Sequence, residues 1–183
     1  FVESGPMVGA VQTNIPQSVK ISSEVDDVQK IFEELVVNSG AAFEAGAELT
    51  VWPETMVQGI LDERVQRFLV SSHYYKVFDE RLKEHSQGRG FVLVGAYGGT
   101  IEFEKDLSIN LTSRYNSAFL YRPDGQQESS QYNKIHLVPF GEVVPFKKSV
   151  RWLYKLLMKF TPYDYDYSLD YGEEYTVFEI ADV

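Results

Sequence analysis

Glu54, Lys134 and Glu142 each stand beside an apolar run, in "TVWPET", "QYNKIH" and "VPFGEVVP". Burial disfavours a carboxylate's charge, but a neighbouring lysine offsets that effect and lets the carboxylate stay ionised as a general base. An ammonium so placed can also hold a developing oxyanion. The set lacks a nucleophile. The chain contains no cysteine, so disulfides, thiolate metal sites and thiol nucleophiles are absent from these residues. Taken singly, each charge also suits a salt bridge at a sheet end. His136 reads as a structural histidine, hydrogen-bonded near Lys134, rather than a catalytic one.

Positioning these groups calls for strand ends and turns. "MVGAVQTNI" is a valine-rich run that suits a buried strand. A helix should follow, capped by Ser22 or Ser23, with Val25, Val28, Ile31, Phe32, Leu35 and Val36 as its apolar stripe and Gly40 and Gly46 marking its end. "ELTVWPE" reads as a second buried strand that stops at Pro53, which has no N–H for a ladder, and so leaves Glu54 just beyond the strand end. The segment from about Leu61 to His85 is helical in composition, and "GRGFVLVGAYGG" returns to a buried strand. "YNSAFLYRPDGQQ" then gives a strand and a Pro-Asp-Gly turn, with "SQYNKIHLV" as its hairpin partner. Alternating strands and helices place the chain in the α/β class. With 183 residues and no internal repeat or linker, one domain over 1–183 is expected.

The net charge of −10 argues against a general nucleic-acid binder, since phosphate contacts need a clustered basic surface. One such cluster does occur. In "FKKSVRWLYKLLMKF", residues 146–160, helical spacing puts Lys147, Lys148, Arg151, Lys155 and Lys159 on one face. Val150, Leu153, Leu156, Leu157 and Phe160 fall on the other, with Trp152 and Tyr154 at the borders. Such a helix suits a membrane interface, cations towards the head groups. It equally suits a surface helix with its apolar side on the core. No run of about 18 apolar residues occurs, so no helix of this chain is expected to span a bilayer. The tyrosine-rich "TPYDYDYSLDYGEEY" fits either an amphipathic substrate groove or a loop with a few anchoring rings.

"WPET" followed about 80 residues later by "YNKIHLVPFGEVVP" resembles the nitrilase, or carbon–nitrogen hydrolase, superfamily. Within it, "VQTNIPQSVK" and "HLVPFGEVVPF" resemble the apolipoprotein N-acyltransferases, from about Val8 to the last residue. The resemblance implies a nitrilase-like α-β-β-α sandwich. It makes Glu54 the general base, Lys134 the oxyanion-stabilising lysine and Glu142 a second carboxylate that helps position them. It also implies no metal and no organic cofactor. The family's nucleophilic cysteine lies on a strand downstream of the last glutamate. The chain is therefore expected to be incomplete on its C-terminal side, truncated before that strand and inactive alone. The implied partners are a phospholipid acyl donor, an apolipoprotein acceptor and the membrane surface, which Lys147, Arg151, Trp152, Lys155 and Lys159 would meet. The implied location is the bacterial cytoplasmic membrane, with this domain facing the periplasm. Two rival readings stand beside it: a soluble amidase or nitrilase acting on small C–N bonds, and a non-catalytic lipid- or lipoprotein-binding module.

Overall fold

The stripe at Val28, Ile31, Phe32, Leu35 and Val36 is buried along one side of a 20-residue helix, α1 (Val25–Glu44), with Asp26 and Asp27 in its first turn. Acidic residues there complement the helix dipole. The structure, a computed structural model, describes residues 5–14, 25–71, 73–103, 109–146, 149–159 and 167–180, and it describes the backbone but not the side chain of Val25, which the stripe was expected to include, and of Phe103, Ile109, Arg151 and Lys155. The expected caps Ser22 and Ser23 lie outside the described residues, as do Lys147, Lys148, Phe160, Tyr163 and Tyr165. Gly40 does not end α1: it lies inside the helix. The stop comes at Gly46, whose φ of 97° no β-carbon-bearing residue adopts easily, with its N–H on the Phe43 carbonyl.

Strands β1 (Val8–Ala10), β2 (Leu49–Val51), β3 (Val57–Ile60), β4 (Phe91–Phe103), β5 (Ile109–Tyr121) and β6 (Gln127–Asn133) form one sheet in the order β1-β2-β4-β5-β6, with β3 also paired to β4. The first contacts are parallel, β1 to β2 and β2 to β4, while β4–β5 and β5–β6 are antiparallel. The expected burial of the first strand is corrected. β1 is an edge strand, with Val8 and Ala10 exposed. β3 was not expected. It runs parallel to the far half of β4, Val57 facing Ala96, while β2 lies along the near half, Leu49 facing Phe91.

The segment after Leu61 is two helices, not one: a single turn, α2 (Glu63–Gln66), and α3 (Tyr74–Ser86). Asp62 caps the first by accepting from the Arg64 N–H at 2.9 Å, and His73 caps the second through Nδ1. Helices α1 and α3 pack on one face of the sheet. Phe32 stacks on Phe78 at 4.2 Å between ring centroids, and Val92, Val94 and Ala96 meet them from β4. Each such large apolar side chain, fully buried, contributes about 2 kcal/mol. The alternate β4 residues, Leu93 and Gly95, face the other way. That second face carries the chemistry.

A buried polar chain crosses the helical layer. His85 Nε2 lies 3.0 Å from Ser39 Oγ, which donates to Thr50 Oγ1 at 2.9 Å, linking α3, α1 and β2. Burial, with Arg89 and Arg81 nearby, pushes His85 down to about 4. Between the ordinary value of 6.5 and about 4 the unfolded chain therefore binds more protons, and stability falls as pH drops through that window. On denaturant unfolding at pH 7 and pH 4.5, the native chain should lose ~1–2 kcal/mol more than a His85→Gln variant. Equal losses in the two proteins would remove His85 from the acid sensitivity.

Candidate active site

Glu54 occupies the gap between β2 and β3 along one edge of β4. Pro53 ends pairing, and Thr55, with φ 50°, turns the chain back so that β3 can rejoin the strand. The turn sits hard against Gly95: a β-carbon there would lie 2.6 Å from the Pro53 carbonyl oxygen and 2.8 Å from Glu54 Cα. Only glycine lets the Glu54 turn approach β4 this closely.

Lys134 is the first residue past β6, its N–H donating to the Asn116 carbonyl at 2.7 Å. Glu142 follows in a tight loop. Phe140 takes a left-handed φ of 62° and the N–H groups of Gly141 and Glu142 return to the Val138 carbonyl. The Glu142 side chain closes that loop, Oε2 accepting from the Val138 N–H at 2.8 Å.

These three segments meet at one point. Lys134 Nζ donates to Glu54 Oε1 at 2.7 Å and contacts both Glu142 oxygens, at 3.1 and 2.9 Å. Asn116 Nδ2 donates to Glu54 Oε1 and to Glu142 Oε1, each at 2.7 Å. Asn116 was not read from the sequence. Its signal was a polar Asn-Ser pair inside "YNSAFLY", an otherwise apolar strand; Asn116 and Ser117 prove buried. Such a pair must find partners.

The electrostatics follow from the contacts. Partial burial disfavours the Lys134 charge, but hydrogen bonds to Glu54 and Glu142 outweigh it and hold the ammonium above the ordinary lysine value. Burial likewise opposes the Glu142 charge. Donation from the Val138 N–H, Asn116 and Lys134 wins and keeps that carboxyl below the usual range. Glu54 is the exposed member, its side chain 60% accessible against 17% for Glu142. A cavity of about 320 Å³, floored by Leu93, Gly95 and Ala118, opens beside Glu54, Asn116 and Lys134. A larger one of about 670 Å³ lies between α1 and α3 at Arg81 and Arg89 and holds none of this set. Among the described residues no cluster of three His, Cys, Asp or Glu is placed to hold a metal ion.

Other expected residues lie elsewhere. His136 is exposed and makes no hydrogen bond among the described residues, so it lacks the one near Lys134 expected of a structural histidine. The basic helix is shorter than residues 146–160: α4 (Arg151–Met158) spans eight residues, because Phe146, with φ 69°, is in a turn and Val150, with φ −133° and ψ 83°, is not yet helical. Trp152, 70% accessible, and Leu156, 44%, lie exposed with Lys159, while Leu153 and Leu157 are half-buried. The solvent face of α4 is thus mixed. Leu156 belongs to it and not to the covered side.

Replacing Asn116 by alanine removes a donor from both carboxylates. Glu142 should then titrate closer to an ordinary carboxylate in carbon-detected NMR, so the stability that its charge contributes is lost at higher pH on acidification. A loss of ~1–3 kcal/mol should accompany it. An unchanged Glu142 titration in Asn116→Ala would show that Asn116 does not bind it in solution.

A family model described as "Carbon-nitrogen hydrolase" matches residues 7–183. The chain is 32% identical over 158 residues to the apolipoprotein N-acyltransferase of Brucella suis, covering 82% of this chain and 26% of that protein. It is 30% identical over 152 residues to that of Nitrosomonas europaea, again 82% of this chain and 25% of the other. It thus spans about a quarter of the length of these relatives. Among solved structures, a mutant of a nitrilase-superfamily amidase from Nesterenkonia AN1 aligns at TM-score 0.47 and 17% identity, over 75% of this chain and 47% of that one. A glutamine-dependent NAD+ synthetase from Acinetobacter baumannii aligns at 0.48 and 19%, over 84% and 23%. With its mixed α/β sheet and its match over nearly all of its length, the chain belongs to the carbon–nitrogen hydrolase family, the nitrilase superfamily.

Proposed function

We propose that this chain supplies the base, the oxyanion lysine and the positioning carboxylate of an N-acyltransferase that moves an acyl chain from a phospholipid to an apolipoprotein amine. The observation that carries this reading is the single contact point of Lys134 with Glu54 and Glu142, in a chain whose relatives bear that activity in their names. With no cysteine among its 183 residues, a thiol nucleophile has to come from outside them.

Glu54, the exposed carboxylate beside the cavity, takes the proton as the thiol attacks the phospholipid ester carbonyl. Lys134 has three N–H bonds; with one on Glu54 and one shared between the two Glu142 oxygens, the third serves the tetrahedral oxygen. Collapse breaks the ester C–O bond. The lysophospholipid leaves with the proton returned from Glu54, and a thioester remains. The apolipoprotein's amine then attacks that carbonyl, forming the amide and releasing the thiol. Glu142 stays ionised throughout and holds Lys134 in place.

Both substrates of such a reaction reside in a membrane, and a set of exposed apolar and basic residues suits its surface. Phe140 and Phe146 are about half exposed although their left-handed backbones cost on the order of 1 kcal/mol each. Trp152, Leu156 and Lys159 line the open side of α4. The proposed setting is the periplasmic face of a bacterial cytoplasmic membrane. No helix among the described residues is long and apolar enough to cross it.

Two experiments test this. In the full open reading frame that encodes these residues, labelled phospholipid should give a hydroxylamine-sensitive acyl-enzyme. Glu54→Gln and Lys134→Ala should each slow its formation by about 100-fold or more. Acylation at the native rate in either variant removes that residue's role. With the chain itself, anionic phospholipid vesicles should shift Trp152 emission to shorter wavelength, and exchange of Lys147, Arg151, Lys155 and Lys159 together for glutamine should weaken binding by at least about tenfold. Negligible binding by both proteins would end the membrane role of this helix.

A further inference from the structure

We propose that residues 167–172 form a positioning strap for Lys134 and Glu142, and that Gly172 is the residue on which its fit depends. This rests on the assignment of those two side chains to the site, not on the identity of the substrate.

The strap runs along the site and touches it at nearly every residue. Tyr167 Oη donates to the Phe140 carbonyl at 2.8 Å, and Ser168 Oγ accepts from the Val144 N–H at 3.2 Å. The Leu169 N–H donates to the carbonyl of Glu142 itself at 2.8 Å. The Asp170 N–H donates to the Arg114 carbonyl at 2.7 Å, two residues before Asn116. Last, the Gly172 N–H donates to the Lys134 carbonyl at 2.9 Å. Leu169 anchors the strap from below, buried against Leu137 and Val143 with Tyr97 beside them.

Lys134 shows why this matters. The β5–β6 ladder ends at Asn133, opposite Ser117, so Lys134 is already outside the strand. Its N–H is held by the Asn116 carbonyl on one side and its C=O by Gly172 on the other. A residue beyond a strand end ordinarily frays. This one has both peptide groups fixed, which leaves only the four-carbon side chain to be ordered.

The strap can come this close only as glycine. A β-carbon at position 172 would lie 2.0 Å from the Asn133 carbonyl oxygen and 2.6 Å from its carbon, backbone atoms that cannot swing aside. Gly172 is buried while Tyr171 and Glu173 on either side are exposed, so the requirement is contact with the Lys134 segment and not the covering of a core.

The test compares Gly172→Ala with Thr176→Val. The latter removes a hydrogen bond from Thr176 Oγ1 to the Gln131 carbonyl, further along the same segment and away from Lys134. The lysines of ¹³C-labelled protein are titrated through their Cε–Hε signals by NMR, which leaves the ammonium groups unmodified, with the Lys134 signal assigned by Lys134→Arg. Gly172→Ala should bring Lys134 down towards the other lysines and Glu142 up towards ordinary carboxylates, at a pH where the variant is folded. Thr176→Val should move neither. Native titrations of both groups in a folded Gly172→Ala protein would overturn the proposal. Should Gly172→Ala not fold, amide exchange in the native chain decides. The Gly172 N–H should be protected by at least about 100-fold over an open peptide. Exchange at the open-peptide rate, with β6 still protected, would show that the strap does not hold Lys134. Neither readout is catalytic, so a failure of the acyl-transfer reading would leave this result standing.

Discussion

Two carboxylates that share one amide donor repel each other, and the site holds together only because an ammonium stands between them. At an effective dielectric near 20, unit charges about 4 Å apart interact by about 4 kcal/mol. Lys134 brings two attractions against the single repulsion of Glu54 and Glu142, and Asn116 donates to the same two oxygens. Remove the ammonium and the balance reverses. The fold therefore has to deliver segments 80 residues apart to within the reach of one lysine, and much of the sheet's irregularity follows from that demand.

The interruption between β2 and β3 is the first such irregularity. A continuous strand along that edge of β4 would have pointed residue 54 up or down from the sheet and buried its backbone in a ladder. Splitting the edge into two short strands frees residues 53–55 to turn out, and Gly95 on β4 gives them room. β4 bridges the gap because it is 13 residues long and has partners on both halves. Its alternation then does two jobs at once. Val92, Val94 and Ala96 take the weight of α1 and α3, while Leu93 and Gly95 are left to floor the cavity on the opposite face.

What could be read from the sequence was whatever a local rule controls. The α1 stripe shows because helical period fixes which residues share a side, and Glu54 and Lys134 show because a proline and a strand end mark them. β3 did not show: "VQGI" is four residues with no alternation, and it pairs only because β4 extends past it. Asn116 is likewise set by partners 62 and 26 residues away. Spacing alone says nothing about a left-handed turn at Phe146, so it makes the helix around Trp152 longer than it is. A helical wheel likewise does not reveal where the rest of the protein lies, so it assigns Leu156 to the covered side.

The loop that carries Glu142 is the least self-sufficient part of the site. Phe140 sits in a left-handed conformation at a cost on the order of 1 kcal/mol, and its ring, 52% accessible, recovers little by burial. The loop's own hydrogen bonds, from the Phe140 N–H to the Val143 carbonyl and from the Val138 N–H to the Glu142 carboxylate, run within a few residues and hold only if the loop is already closed. The contacts that close it come from elsewhere: Tyr167 on the Phe140 carbonyl, Leu169 on that of Glu142. A strained loop braced from outside can place a carboxylate where an unstrained one could not. The same bracing segment goes on to fix Lys134, so the lysine and its carboxylate are held in register by one piece of chain.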